Sequence, residues 1–263
     1  MDVVALMALA SSVEEEAPQL AADLGMTPYE AGLLLRLPPP VPILRTEDRA
    51  RAVELVTKLR ARRHDVVACD AGAVVASDAM TPVRSFRLDE DAFVVSSAGT
   101  STSVPWDDIV ALVRAVHRTS SEHVEKSEQR KLSLGRAAMS GGFLMTKTVT
   151  KTAKHTVEER EQVLYVFRQG GAPMFATISR TRYEGLAAAL RPSQIENFNT
   201  LVRTLRERAP QAVYDERLLA PRPGIERVRA GTAGTVSASS SEGVDLLAHL
   251  IALASTRAQR PYR

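Results

Sequence analysis

Between Arg130 and Lys147 the chain reads RKLSLGRAAMSGGFLMTK, and no single regular element accommodates that run. Leu134, Met139, Phe143, Leu144 and Met145 favour burial, whereas Gly135, Gly141 and Gly142 weaken any helix that would bury them as one stripe. On the return side Thr146, Thr148, Thr150 and Thr152 alternate with Lys147, Val149, Lys151 and Ala153, which is strand period with β-branched content. From Lys126 to Lys154 there are seven Lys or Arg against the single acid Glu128, so the segment carries a positive field whatever its conformation. The run therefore reads as the tip of a hairpin excursion, spanning 120–158, that leaves a compact domain.

The chain around it has 263 residues, enough for two modest cores of the usual domain size of about 100–150 residues. Only 5% of residues are aromatic, so Leu, Val and Ala carry most of the packing. A net charge of +3 does not make a nucleic-acid binder by itself. One cysteine, Cys69, excludes an internal disulfide and fits a reducing compartment; in a short apolar run it reads as a buried small hydrophobe. The first residues lack the basic start of a signal peptide, and no apolar run reaches the roughly 20 residues of a spanning helix. A cytoplasmic chain is expected.

Val3 to Leu9 suits either a first strand or a helix start. A helical segment ends around Gly25. Thr27, Pro28 and Glu30 then form an N-cap, first-turn proline and capping box, opening a helix through Leu33, Leu34 and Leu35 that Pro38-Pro39-Pro40 stops. Val41 to Leu44 is extended, with Pro42 marking an edge strand or the first residue of a strand. Ala52, Val53, Val56 and Leu59 recur at helical spacing, supported by Glu54 four residues before Lys58, and Asp65 to Cys69 closes the unit as a strand.

Leu24-Gly25-Met26-Thr27-Pro28-Tyr29-Glu30-Ala31, the prolines with Val41, the helix from Ala52 to Leu59 and Val66-Val67 together resemble the C-terminal domain of the bacterial ribosomal stalk protein, and the small adaptor of the Clp protease has a related layout. The resemblance covers about the first seventy residues and implies a small α/β interaction module over 1–71. The family contacts translation factors through lysines and a glycine near its first helices. Only Gly25 has a counterpart here, and the preceding helix is acidic, with Glu14, Glu15, Glu16 and Asp23.

After a connector, strand period dominates from Val83. Phe86 and Leu88, then Phe93 and Val95, flank the turn at Asp89-Glu90-Asp91, and a turn at Gly99 precedes Val104-Pro105-Trp106. Ile109 to Val116 fits helix and strand almost equally, and the strand reading, continuing into the polar arm, is favoured. Val163 to Phe167 reads as a buried strand, joined through Gly170-Gly171 to Met174 to Ile178. Ser193 and Glu196 form a second capping box for a helix with the stripe Ile195, Phe198, Val202 and Leu205. This layout over 83–209, within a mainly β domain over 83–213 and with Pro105-Trp106-Asp107-Asp108-Ile109 after a strand, resembles a bacterial pleckstrin-homology-like domain, from which the long excursion departs. Residues 230–242 read as a flexible Gly/Ser/Thr/Ala linker. The helix over 243–257, with Leu246, Leu247, Leu250, Ile251 and Leu253, is apolar nearly all round and must bury itself on this chain or another. The expected fold class is α+β: a small α/β N-terminal module, then a mainly antiparallel β module with a long hairpin excursion and a C-terminal helix.

No phosphate-cradling glycine loop, nucleophile elbow or metal-ligand spacing among the five histidines is present in the sequence. No catalytic residue, cofactor, metal or small-molecule substrate is expected. Arg60, Arg62, Arg63 and His64 cluster at a helix C-terminus, where the macrodipole favours positive charge. The chain is expected to be a non-enzymatic adaptor or scaffold that meets a protein partner or a second copy of itself. The anchors are Leu134, Met139, Phe143, Leu144 and Met145, the charged rim Arg130, Lys131, Arg136 and Lys147, and the C-terminal docking residues Leu247, Leu250 and Ile251. Nucleic-acid binding through the basic arms and peripheral contact with a membrane surface are the alternatives.

Overall fold

A computed structural model describes residues 1–97, 99–132, 146–222, 227–230 and 236–258, with the backbone alone over 121–132, 146–157, 227–230, 236–237 and 257–258. The fold is α+β, and contacts divide it into two units. One holds 1–117, 161–225 and 241–263, and the other 118–160 and 226–240.

The first unit starts with strand β1 (Asp2–Ala8), helices α1 (Val13–Leu24) and α2 (Pro28–Leu35), strand β2 (Val41–Thr46), helix α3 (Arg49–Ala61) and strand β3 (Asp65–Asp70). Val3 to Ala8 thus resolves to strand. The local signals act as read: Gly25 closes α1 at φ 71°, and the Thr27 hydroxyl accepts from Glu30 N–H at 3.3 Å while Glu30 Oε2 accepts from Thr27 N–H at 2.8 Å. All three strands pair antiparallel in the order β2-β1-β3, so proline-bearing β2 is an edge. Alternation along β1 then decides the architecture. Val4 and Leu6 join Leu20, Leu35, Leu55 and Leu59 under the helices; Val3, Ala5 and Met7 face the other way and are also sealed, at 0%, 0% and 4% exposure.

What seals them is the C-terminal helix α5 (Ser241–Ala258), whose Val244, Leu247, Leu250 and Ile251 share one core with Val3, Ala5, Met7 and Val67. The far side of α5 meets the large sheet. That sheet contains β8 (Ile109–Leu132), β9 (Thr146–Arg168), β10 (Met174–Thr177) and β4 (Thr81–Pro82) in the order β8-β9-β10-β4, and β11 (Val213–Leu218) runs parallel to β8. Along β9 the faces separate cleanly: Val163, Tyr165 and Phe167 face α5, and Leu164 and Val166 enter the next core. There they meet Phe198, Leu201, Val202 and Leu205 of helix α4 (Gln194–Arg208) and the three-stranded antiparallel sheet of β5 (Ser85–Leu88), β6 (Ala92–Ser97) and β7 (Thr100–Pro105). Trp106 closes this core, donating its indole N–H to Glu90 O at 3.0 Å.

Three expectations need correction. Ile195 is 54% exposed, because the buried stripe of α4 runs through Phe198, Leu201, Val202 and Leu205 at i, i+3, i+4 and i+7, one turn further on. Ser193 takes the N-cap position without a side-chain hydrogen bond. Asn197 holds the helix entrance instead, accepting from Arg191 N–H at 2.6 Å and donating to Arg191 O at 2.8 Å. Finally, the stretch read as a flexible linker contains strand β13 (Val236–Ser239), which pairs with Thr119–Glu122 of β8 and with β12 (Arg227–Ala230). The edge of a long partner strand offers unpaired backbone N–H and C=O groups, and pairing with them overrides the weak strand preference of a Ser/Ala-rich segment.

Candidate functional site

Two strands of unusual length bear the excursion. β8 has 24 residues and β9 has 23, against a usual five or six. Their inner segments are core strands of the first unit: Leu112, Val113 and Ala115 on β8 and Val163 to Val166 on β9 are all 0% exposed. Beyond His117 and before Glu161 the same strands belong to the second unit, where β13 and β12 widen the sheet in the order β12-β13-β8. Arg130 and Lys131 stand in β8 and Lys147 in β9. Leu134, Arg136, Met139, Phe143, Leu144 and Met145 lie outside the described residues.

Charge is unevenly divided between the units. The second holds eleven Lys or Arg against six Asp or Glu, and the remainder of the chain 23 against 25, so the segment around the excursion is positive and the rest slightly negative. The other basic cluster turns inward. Arg62 bonds Glu16 and Asp23, each at 2.8 Å, and His64 Nε2 lies 2.7 Å from Glu16 Oε2. His64 Nδ1 accepts from Ala10 N–H at 3.0 Å, so the ring proton sits on Nε2, facing the carboxylate. Arg60 donates to Val66 O at 3.0 Å. This cluster ties α3 to α1 and to its own strand, the local stabilisation that its place at a helix C-terminus suggests.

Leu247, Leu250 and Ile251 are 2%, 0% and 1% exposed. The helix expected to dock into a groove does so on its own chain, and these three are core residues in it. A polar node that the sequence reading missed fixes its position. Asp245 Oδ1 accepts from Tyr165 Oη–H at 2.6 Å and Oδ2 from Ser77 N–H at 2.8 Å. Tyr165 Oη in turn accepts from His117 Nε2 at 2.6 Å. One turn along, His249 Nε2 accepts from Val75 N–H at 3.2 Å and Nδ1 donates to Asp245 O at 2.8 Å. The node therefore binds α5 to β8, β9 and the connector after β3. Its one legible signal was the acid Asp245 within the apolar stretch Val244 to Leu253, since buried carboxyls are rare unless partnered.

Burial, with Asp245 adding to it, pushes the Tyr165 hydroxyl well up, which keeps it protonated and donating. Burial also lowers the His117 and His249 pKa values, outweighing Asp245 and Glu161 beside His117 and Asp245 beside His249. Both rings are therefore neutral in the fold. Because the folded values lie below the unfolded value of about 6.5, the unfolded chain binds more protons as pH falls, and stability present above that value is lost progressively below it. Thermal midpoints should be flat from pH 7 to 8 and fall below about pH 6. The double variant H117N/H249N should have a lower midpoint but a shallower acid slope; an unchanged slope would show that the two rings do not titrate with folding.

The Cys69 thiol is half-buried, and burial with Asp70 and Asp2 pushes its pKa up, as suits a packing residue. Among the described residues no helix is long and apolar enough to cross a membrane. Compared with family models, with curated proteins and with solved structures, the chain matches none.

Proposed function

We propose that the chain is a non-enzymatic adaptor or scaffold that presents the basic, apolar tip of its β8–β9 excursion to a protein partner, in a cytoplasmic setting. The observation that carries this reading is the continuity of the two arms with the most deeply buried strands of the chain, combined with the concentration of positive charge in the unit they form. Apolar side chains between cationic arms supply contact area, and the charge speeds encounter with an acidic surface. The small α/β module of the first seventy residues, read as an interaction module by its resemblance to the stalk domain, fits a protein built for contacts.

Alanine at Met139, Phe143, Leu144 and Met145 together should weaken capture of partner at least tenfold without moving the thermal midpoint, because anchors of this kind carry most of an interface's energy. Unchanged capture would overturn the proposal. The basic arms also suit nucleic acid, but only Phe143 interleaves with the basic residues from Lys126 to Lys154, too few aromatics for a stacking platform. A gel shift that weakens steeply with salt would replace the adaptor reading with that one. Flotation with anionic liposomes would replace it with membrane-surface contact.

A further inference from the structure

Away from the excursion, a pocket of about 350 Å³ lies beside the β5–β6–β7 sheet, lined by Arg84, Arg180 and Arg182 and by Ser85, Ser96 and Ser97. Among the described residues no carboxylate lines it. Backbone contacts bring the three arginines together. Arg182 N–H donates to Arg84 O at 2.8 Å, and the neighbouring Thr181, 4% exposed, donates its hydroxyl to Val83 O at 3.0 Å. Val83 N–H donates to Phe175 O at 2.9 Å, tying the same segment to β10. Arg180 is held two residues earlier, its N–H donating to the Thr177 hydroxyl at 3.2 Å. The serine wall is set by sheet register: Ser85 pairs with Ser96, whose hydroxyl lies 3.0 Å from that of Ser101. The wall ends at the turn where Gly99 has φ +83°.

Some exposed arginines of this chain are matched with acids, as Arg87 is with Asp89 at 2.7 Å and Arg217 with Asp215 at 2.7 Å. Among the described residues none of the three pocket guanidinium groups makes an ion pair. The nearby Glu161 carboxylate accepts instead from Ser179 N–H at 2.8 Å. Three like charges facing one concavity repel, and the geometry is relieved by an anion with several oxygens. Guanidinium forks bind phosphate oxygens in a bidentate manner, and serine hydroxyls supply further donors.

We infer that this pocket is a phosphate-binding site, taking a phosphate monoester or the phosphate of a lipid headgroup, and that it works independently of the β8–β9 tip. The test uses the full chain and inorganic phosphate, titrated calorimetrically at ionic strength held constant with chloride. The variant R84Q/R180Q/R182Q should bind phosphate at least tenfold more weakly than the parent. Because all three residues are exposed, its melting curve should match; the single variant R182Q, weaker in the same direction, covers the case in which it does not. R203Q, on the exposed face of α4, should bind as the parent does. A chain lacking 132–146 should also bind as the parent, which separates this site from the basic excursion. Equal binding by parent and triple variant, or loss of binding on removing 132–146, would overturn the inference. Flotation with phosphatidylcholine vesicles containing phosphatidic acid distinguishes the sources: arginine-dependent flotation identifies a headgroup, and arginine-dependent phosphate binding without flotation a soluble phosphate ester.

Discussion

Replacing Asp245 with alanine is expected to destabilise the chain by about 3–5 kcal/mol, the range for removing one partner of a buried charged or strongly hydrogen-bonded pair. Asp245 is 2% and Tyr165 0% exposed, so no bulk water reaches the groups left behind. The Tyr165 hydroxyl loses its acceptor and the Ser77 N–H loses its only carboxyl partner, while His117 still points its ring at the tyrosine oxygen. The helix that carries Asp245 also fills the space between the N-terminal sheet and the large sheet, so a shift in its register exposes apolar surface on both sides. Tyr165→Phe removes one hydroxyl while keeping the ring and should cost less, about 1–3 kcal/mol. Urea unfolding measures both. A D245A midpoint indistinguishable from that of the parent would mean that packing alone seats α5 and that the polar node contributes nothing to its register.

The placement of α5 shows where the sequence stopped being sufficient. From α1 to α3 the elements were legible because each carries a local device: the αL glycine after α1, the Thr27–Glu30 box, the prolines before β2 and the Glu54–Lys58 pair, which closes at 2.8 Å; β1 has none and stayed open between strand and helix. Strand β9 was legible from the period-two alternation of its threonines and from the unbroken apolar run Val163 to Phe167, which signals burial on two faces, whereas the start of β8 fitted helix and strand almost equally. An all-round apolar helix announces that it is buried on every side but not against what. Its neighbours here are Val3 and Ala5, more than 200 residues earlier in the chain. The same distance hid the Asp245–Tyr165–His117 node, since Tyr165 and His117 each read as an ordinary strand residue and Asp245 alone did not name its partners. The Ser-rich strand β13 was invisible for a different reason: nothing in Val236-Ser237-Ala238-Ser239 favours a strand until β8 offers it an edge. For the candidate site, charge and composition located the excursion and its arms, and the arginine pocket escaped because Arg84 and Arg182 are almost a hundred residues apart in sequence.

Excising the tip while keeping the arms is expected to abolish partner binding and spare the fold. Leu132 ends β8 and Thr146 begins β9, so replacing 132–146 by a two-residue Asn-Gly turn closes the ribbon with a connection that antiparallel strands favour. The buried residues that hold the first unit together, from Ile109 to Ala115 and from Val163 to Phe167, are untouched. Arg130, Lys131 and Lys147 remain as well, so the excised chain keeps charge on its arms while losing Leu134, Met139, Phe143, Leu144 and Met145. That separates apolar anchoring from simple electrostatic attraction, which would survive in part and fade with salt.

The decisive measurement is a pull-down from native lysate with the full chain and the excised chain side by side, at equal melting temperature. The excised chain should lose its specific partners while its thermal midpoint stays within the error of the parent's. An identical set of partners on both chains would contradict the claim that the basic, apolar tip is what this protein offers to others.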